Sequence, residues 1–222
     1  ALNVDRGVYR LPDEVSYDEA TFIEPLACVV RAQRRAHIQP GKTVLVLGSG
    51  ISGLLHIHLA RALGATRIVA TDVDIYRLNA AKRFGADYAI SANEDVSARL
   101  KELNEGRGAD SVIVCTGAVS ALHQALQSVD RGGTVLFFAP TDRDGTIPLS
   151  INQVFWRNDV TLTTSYAGDR ADHLTALRLI QAKRVKVADM ITHRLGLSET
   201  VKGFELVAQG RNSIKVVIEP QR

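Results

Sequence analysis

The stretch from Lys42 to Asp72 most constrains the fold, because it joins a short apolar strand, a glycine-rich turn and an amphipathic helix. Thr43 to Leu47 is a continuous, largely β-branched and apolar run, typical of a strand buried on both faces of a parallel sheet. It ends at Gly48-Ser49-Gly50-Ile51-Ser52-Gly53, after which apolar residues recur at helical spacing. A second strand starts at Arg67. The stretch is predicted to be the first βαβ unit of a dinucleotide-binding sheet.

The three glycines of this turn have separate predicted roles. Gly48 lets the chain turn sharply off the strand, Gly50 lets a pyrophosphate approach the backbone, and Gly53 lets the helix pack close to the sheet. The free N–H groups of the first helical turn, at Ile51 and Ser52, and the positive end of the helix dipole would face that phosphate.

Asp72 bears on the choice of cofactor. It lies 19 residues after Gly53, about where an acidic residue meets a ribose 2′-hydroxyl. A carboxylate there would repel the 2′-phosphate of NADP, and no arginine follows it directly. The sequence therefore favours NAD.

Strands and helices alternate through most of the chain, which predicts an α/β fold with a doubly wound parallel sheet in the strand order 3-2-1-4-5-6. The six predicted strands are Thr43–Leu47, Arg67–Thr71, Tyr88–Ile90, Asp110–Cys115, Thr134–Phe138 and Val160–Ser165. Arg131-Gly132-Gly133 is predicted to be the turn into the fifth strand.

In that order the ligand crevice lies outside the carboxyl ends of strands one and four. Cys115, Thr116 and Gly117 would therefore lie beside the cofactor. Phe138 and Ala139, at the end of the fifth strand, are the candidates for flanking a nicotinamide, and ordinary core packing of Phe138 is an equal alternative.

The two ends of the chain do not extend this pattern. An extended stretch over Ala1–Asp13 precedes a capping box at Ser16 and Glu19, and Glu24-Pro25 is predicted to interrupt the next apolar run before a helix over Pro25–Ala36. The segment after Tyr166 is predicted to belong to a second, smaller domain.

Composition restricts the class of protein further. Hydrophobic residues make up 45% and charged residues 23% of the 222, which is ordinary for a globular protein. The net charge is +3 and the basic residues are scattered, so no nucleic-acid partner is predicted. No apolar run approaches the ~20 residues of a membrane helix, so no membrane span is predicted. Cys28 and Cys115 are far apart and read as small core residues of a protein in a reducing, cytoplasmic compartment. All six histidines are assigned surface or packing roles. The chain begins at Ala1 without a methionine, so further residues are expected upstream.

Together these motifs resemble the zinc-type medium-chain dehydrogenases, near the sorbitol and threonine dehydrogenases. The resemblance covers nearly the whole chain and rests on Leu11-Pro12-Asp13, Glu24-Pro25-Leu26-Ala27-Cys28, Gly48 to Gly53, Thr71-Asp72 with Arg77, Ala109-Asp110 to Thr116-Gly117, Gly132-Gly133, Ser165-Tyr166 and Ile191-Thr192-His193.

The resemblance implies a division of labour along the chain. Residues 29–166 would be the NAD-binding Rossmann domain, with 1–28 and 167–222 as parts of a catalytic domain. Glu24 would lie at or next to the catalytic zinc, and a structural cap is an equal alternative for this residue. Arg77 would contact the adenosine ribose, and Ser165 with Tyr166 would lie near the nicotinamide.

The family's other zinc ligands would lie upstream of Ala1, so no catalytic residue is assigned and the chain alone is expected to be inactive. The predicted function is the coenzyme-binding portion of a zinc-dependent oxidoreductase that moves hydride between an alcohol or polyol and NAD, as a homo-oligomer. A non-catalytic NAD-binding module and a zinc-free medium-chain reductase are the alternatives. A short-chain dehydrogenase lacks support, because Tyr76 and Tyr166 have no lysine four residues on, and a methyltransferase does not account for the segment after Cys115.

Overall fold

The computed structural model describes residues 8–222, which form two compact units. One unit is contiguous, Ala32–Tyr166, and the other joins the chain up to Arg31 with Ala167–Arg222. The first seven residues of the predicted extended stretch lie outside the described part of the chain. The predicted domains 1–28, 29–166 and 167–222 assign functions to segments, and they stay a prediction.

The contiguous unit is built on a six-stranded parallel sheet whose order, β3-β2-β1-β4-β5-β6, confirms the predicted doubly wound topology. All five residues of the central strand β1 are buried, which explains its unbroken apolar sequence. The strands are β1 Thr43–Leu47, β2 Arg67–Asp72, β3 Tyr88–Ser91, β4 Ala109–Val114, β5 Val129–Phe137 and β6 Thr161–Thr164.

Helices connect these strands, and side chains cap the start of some of them. The Asp74 and Asp95 carboxylates accept hydrogen bonds from Tyr76 N–H and Ala98 N–H, as N-cap residues do. The helices of this part of the chain are α2 Ile23–Arg35, which crosses the boundary between the units, α3 Ile51–Ala62, α4 Ile75–Arg83, α5 Val96–Leu103, α6 Val119–Ser128 and the short α7 Ile151–Val154.

The predicted start of the fifth strand was wrong. β5 begins at Val129, directly after α6, and the Arg131–Gly133 segment lies within the strand rather than before it. The register against β4 shifts there, from Ala109 opposite Val129 to Ser111 opposite Thr134, and Gly132 takes a positive φ of 69°. The turn-forming residues therefore make a bulge in a longer strand.

The other unit joins segments from both ends of the chain. The Ser16–Glu19 capping box is confirmed and opens α1 Tyr17–Ala20. Helix α2 starts at Ile23, so the predicted interruption at Pro25 was wrong. Pro25 lies in the first turn, where backbone N–H groups have no acceptor within the helix, so the missing N–H of proline costs no hydrogen bond. The C-terminal elements are α8 Arg170–Gln181, β7 Ile191–Gly196, α9 Thr200–Gln209 and β8 Lys215–Glu219, and β7 pairs with β8 in parallel.

Several ion pairs connect the two segments of this unit, two of them through acidic residues of the N-terminal segment. The Lys183 ammonium lies 2.6 Å from a Glu19 carboxylate oxygen, and the Arg194 guanidinium pairs with Asp18. Arg194 also donates to Glu219 at 2.8 Å. Its guanidinium therefore binds one acid of helix α1 and one acid of a C-terminal strand. Among the described helices, none combines the length and the apolar character that a bilayer span requires.

Gly53 sets the distance between α3 and the end of β1. A Cβ atom added to Gly53 would lie 1.9 Å from the carbonyl oxygen of Gly48 and 3.5 Å from a methyl group of Val46. No side chain fits there, so the predicted role of Gly53 in close helix–sheet packing agrees with the geometry.

Replacing Gly53 with alanine should lower the free energy of unfolding by at least about 2 kcal/mol, because α3 would have to move away from the Gly48 carbonyl oxygen. Gly50→Ala is the matched control in the same turn, since the nearest atom to an added Cβ is Arg77 Nη1 at 3.9 Å. Urea unfolding of both variants measures the difference, and equal stabilities would contradict this account of the loop.

Candidate functional site

The glycine-rich loop bends away from β1 at Gly48, which has a φ of 93°. Its N–H donates to the Thr71 carbonyl at the end of β2, and an added Cβ would lie 3.2 Å from the backbone of Cys115 at the end of β4. The loop therefore crosses the edge of the sheet where the ends of three neighbouring strands meet, and only glycine combines that conformation with that proximity.

Gly50 caps α3 without a side chain. Its backbone is extended, with a φ of −68° and a ψ of −172°, and no side-chain oxygen caps the helix. The first-turn N–H groups, including those of Ile51 and Ser52, are therefore left to an external acceptor such as an anion, which the helix dipole would also favour.

Asp72 holds the loop in place. One carboxylate oxygen accepts from Ser49 N–H at 2.8 Å, and the other accepts from Asp74 N–H at 3.0 Å. The residue is only 6% exposed, and Arg77 Nη1 lies 4.0 Å from the first oxygen. A buried negative charge thus lies directly beside the loop, compensated by two N–H groups and one nearby cation.

These residues line one cavity of about 230 Å³ at the carboxyl edge of the sheet. It brings together six of the residues singled out from sequence: Gly48, Gly50, Asp72, Arg77, Cys115 and Thr116. Ile51, Ser52 and Gly53 form the adjoining first turn of α3, and Gly117 follows Thr116 in the chain. An added Cβ on Gly117 would lie 2.6 Å from the Pro140 carbonyl oxygen, so this turn packs against the segment after β5.

Sequence reasoning missed the far wall of this cavity. Ala92 and Asn93, just after β3, and Ser120 and Gln124, on α6, also line it. The Gln124 side-chain amide donates to the Ala92 carbonyl at 2.9 Å and fixes one wall to the other. The available signal was topological, because the carboxyl end of β3 must lie at the same edge of the sheet as those of β2 and β1.

A second, more apolar cavity of about 580 Å³ lies in the same unit, at the ends of β5 and β6. Phe138, Ala139, Ser165 and Tyr166 line it, as do aliphatic side chains such as Leu122. The Ser165 hydroxyl is buried and has no hydrogen-bond partner among the described residues, whereas Tyr166 is 93% exposed. The four residues predicted for the nicotinamide end are therefore neighbours, in a place separate from the glycine loop.

Cys115 lies just beyond β4 and donates its backbone N–H to the Leu47 carbonyl at 2.7 Å. Burial raises the pKa of its thiol far above the ordinary value. The side chain therefore stays a neutral thiol, and the residue shapes the cavity without nucleophilic chemistry.

Glu24 belongs to the other unit and is exposed, so its carboxylate pays no desolvation penalty. The Cys28 thiol donates to its carboxylate at 3.2 Å, and burial together with this carboxylate raises the pKa of Cys28 to about 11. No group of three potential metal-ligating His, Cys, Asp or Glu residues occurs within residues 8–222. These residues alone do not fit a catalytic zinc, which takes three protein ligands, and the metal role of Glu24 stays a prediction.

His56, on α3, is fully buried. The Gln33 amide nitrogen contacts His56 Nδ1 at 3.2 Å and donates to the His56 carbonyl at 2.7 Å, and the imidazole packs edge to face on Phe138. Burial lowers the pKa of His56 to about 3. His58, two residues on, packs near Phe84 instead, so the two histidines face different neighbours.

The fold and this edge of the sheet define a doubly wound α/β unit with a glycine-rich loop at its switch point. The family model described as zinc-binding dehydrogenase matches residues 52–182, more than half of the chain. The chain belongs to the zinc-binding dehydrogenase family.

Individual relatives agree with this assignment. The sorbitol dehydrogenase of Bacillus subtilis is 31% identical over 97% of this chain, and the chain spans 61% of that protein. The alcohol dehydrogenase TADH from Thermus sp. ATN1 is 28% identical with a TM-score of 0.88 over 96% of this chain and 61% of that one. A protein from Sinorhizobium meliloti, solved with bound NADP, shares the fold at 24% identity, with a TM-score of 0.87 over 96% of this chain and 62% of that one.

The buried, neutral His56 should make the protein sensitive to acid. The unfolded chain binds a proton on this imidazole below its ordinary pKa of 6.5, whereas the folded chain does not until about pH 3. The stabilising contribution is therefore complete above pH 6.5 and is lost as the pH falls towards 3, by about 2 kcal/mol between pH 7 and pH 5.

Urea unfolding at pH 7 and pH 5 measures this loss in the wild type, in His56→Leu and in the control variant His58→Leu from the same helix. His56→Leu should lose about 2 kcal/mol less than the other two over this interval. An equal loss in all three would show that His56 is not the group responsible.

Proposed function

We propose that the unit Ala32–Tyr166 binds NAD, with the pyrophosphate on the loop Gly48–Gly53. The observation that carries this proposal is the meeting of three features at one cavity: the uncapped N-terminus of α3, the open backbone at Gly50 and the paired charges of Arg77 and Asp72. Backbone N–H groups and an arginine offer what a diphosphate needs, and Asp72 offers an acceptor to ribose hydroxyls.

NAD is proposed over NADP because of the surroundings of Asp72. Its charge is buried beside the cavity, where low solvent access strengthens repulsion of a 2′-phosphate. Arg77 is engaged near this carboxylate, with Nη1 4.0 Å from Oδ2, so its positive charge is already partly balanced. A protein of the same fold from Sinorhizobium meliloti was solved with bound NADP, so the fold alone does not decide between the two cofactors.

The nicotinamide half is proposed to extend past Cys115, Thr116 and Gly117 towards Phe138, Ala139, Ser165 and Tyr166. Gly117 packs on Pro140, so the turn after β4 adjoins the segment that lines the larger cavity. The apolar wall of that cavity suits a nicotinamide face, and the buried Ser165 hydroxyl could donate to its carboxamide.

The complete protein is proposed to be an NAD-dependent dehydrogenase of secondary alcohols or polyols, in which 29–166 binds the coenzyme and 1–28 with 167–222 contribute to the catalytic domain. Support comes from family membership and from the names of its relatives. The described residues do not assemble a zinc site, so we assign no catalytic step to them and expect no turnover from this chain alone. Two free cysteines agree with a cytoplasmic location, and homo-oligomerisation stays a prediction.

A non-catalytic NAD-binding module is the second candidate. It is favoured by one observation, the absence of a three-ligand metal group within residues 8–222. The two candidates share the cofactor site and differ in turnover. An assay of NAD reduction by sorbitol in the presence of zinc, performed on the full-length natural protein, distinguishes them.

Gly50→Val tests the pyrophosphate site. The valine side chain would project over the N-terminus of α3 and keep a diphosphate from its N–H groups, so NADH affinity should fall at least about a hundredfold. NADH fluorescence titration measures the affinity, and thermal unfolding checks that the variant is folded. Undiminished affinity in a folded variant would exclude the loop as the binding site.

Asp72→Asn tests the choice of cofactor. Removing this charge should reduce the preference for NADH over NADPH about tenfold, since one unit of repulsion against the 2′-phosphate is lost. Asp74→Asn is the matched control, because it removes a charge two residues away and can still cap α4. If wild type binds both cofactors equally, the assignment of NAD is wrong.

A further inference from the structure

His56 connects the helix that carries the glycine loop to the larger, apolar cavity. Its ring packs edge to face on Phe138, with centroids 4.7 Å apart and ring planes at 85°. Phe138 follows β5 directly and lines the cavity of about 580 Å³. Helix α3 thus begins directly after Gly50, which lines the smaller cavity, and its second turn contacts a residue that lines the larger one.

Gln33 fixes the imidazole from the neighbouring helix α2. Its side-chain nitrogen donates to the His56 carbonyl at 2.7 Å and contacts Nδ1 at 3.2 Å, which makes Nδ1 the acceptor and places the imidazole proton on Nε2. The same amide restrains rotation of the ring. Gln33 is 1% exposed and His56 has no exposure, so the pair lies wholly inside the core.

Stability alone does not account for a polar pair at this place. Gln33 Oε1 and His56 Nε2 are buried without a hydrogen-bond partner in the described part of the chain. Two apolar side chains would fill the same volume without the cost of burying these atoms. Instead, the Gln33 amide fixes the orientation of the His56 imidazole, and this ring packs against Phe138.

We propose that His56 is a positioning residue that holds the Phe138 ring at the wall of the larger cavity, where the nicotinamide ring would lie against it. This inference rests on the proposed NAD site and adds to it a determinant for one half of the cofactor. Loss of His56 should weaken binding of the nicotinamide half and spare the ADP-ribose half, because the loop and Asp72 are unaffected.

The test compares the affinities of NADH and ADP-ribose by calorimetry in the wild type, His56→Leu and Phe138→Leu. Each variant should bind NADH about three- to tenfold more weakly, the range expected for one aromatic contact, with ADP-ribose affinity unchanged. The double variant should be no weaker than either single variant, because both changes remove the same contact. His58→Leu, from the same helix, is the control and should leave both affinities as in the wild type.

Rescue separates positioning from general packing. His56→Phe combined with Gln33→Leu restores an aromatic ring and removes the unpaired amide, so it should recover most of the NADH affinity. Equal weakening of NADH and ADP-ribose in His56→Leu, or no recovery on rescue, would overturn this inference and leave the NAD site standing. Failure of the wild type to bind either ligand would overturn the NAD site and this inference with it.

Discussion

The hydrogen bond from Ser49 N–H to the Asp72 carboxylate is the interaction on which the candidate site depends. It joins the turn after β1 to the end of β2, and the second carboxylate oxygen holds Asp74 N–H at the start of α4. One buried side chain therefore fixes the loop, a strand end and the next helix. Because its charge is buried, removing any of these partners would leave part of the carboxylate unsolvated, which couples the loop geometry to the acid.

This coupling changes how the acid contributes to recognition. A ribose hydroxyl reaching Asp72 would meet oxygens that already accept backbone hydrogen bonds, so it would share their remaining lone pairs. If NAD is the cofactor as proposed, the carboxylate that would repel a 2′-phosphate is also the one that holds the loop before α3. Replacing Asp72 could then change both cofactor preference and phosphate binding, and the Asp74 variant shows how much of the effect comes from loss of a nearby charge alone.

The sequence predicted best what is encoded locally. The backbone turn at Gly48 and the close packing at Gly53 could be predicted because a strand, turn and helix within some twenty residues constrain one another. The sheet order followed from the alternation of elements. The start of β5 was missed because Gly132-Gly133 signals a turn and a bulge equally well. The contacts of Gln124 with Ala92, and of Gln33 with His56, join residues 32 and 23 positions apart, and no local pattern announces which polar side chains will meet inside a core.

The order in which the chain visits the two units has a thermodynamic consequence. In the contiguous unit, four of the five strand pairs join strands that are consecutive in sequence, the exception being β1 with β4. The other unit must instead join the chain up to Arg31 to the chain from Ala167 onwards. Closing so long a loop costs conformational entropy before Lys183 can pair with Glu19. The contiguous unit reduces that cost once it has folded, because the Arg35 side chain donates to the Thr164 carbonyl at 2.8 Å and holds its own two ends together. Folding of the contiguous unit thereby converts a long loop closure into a short one, which explains why a unit made of two distant segments can form.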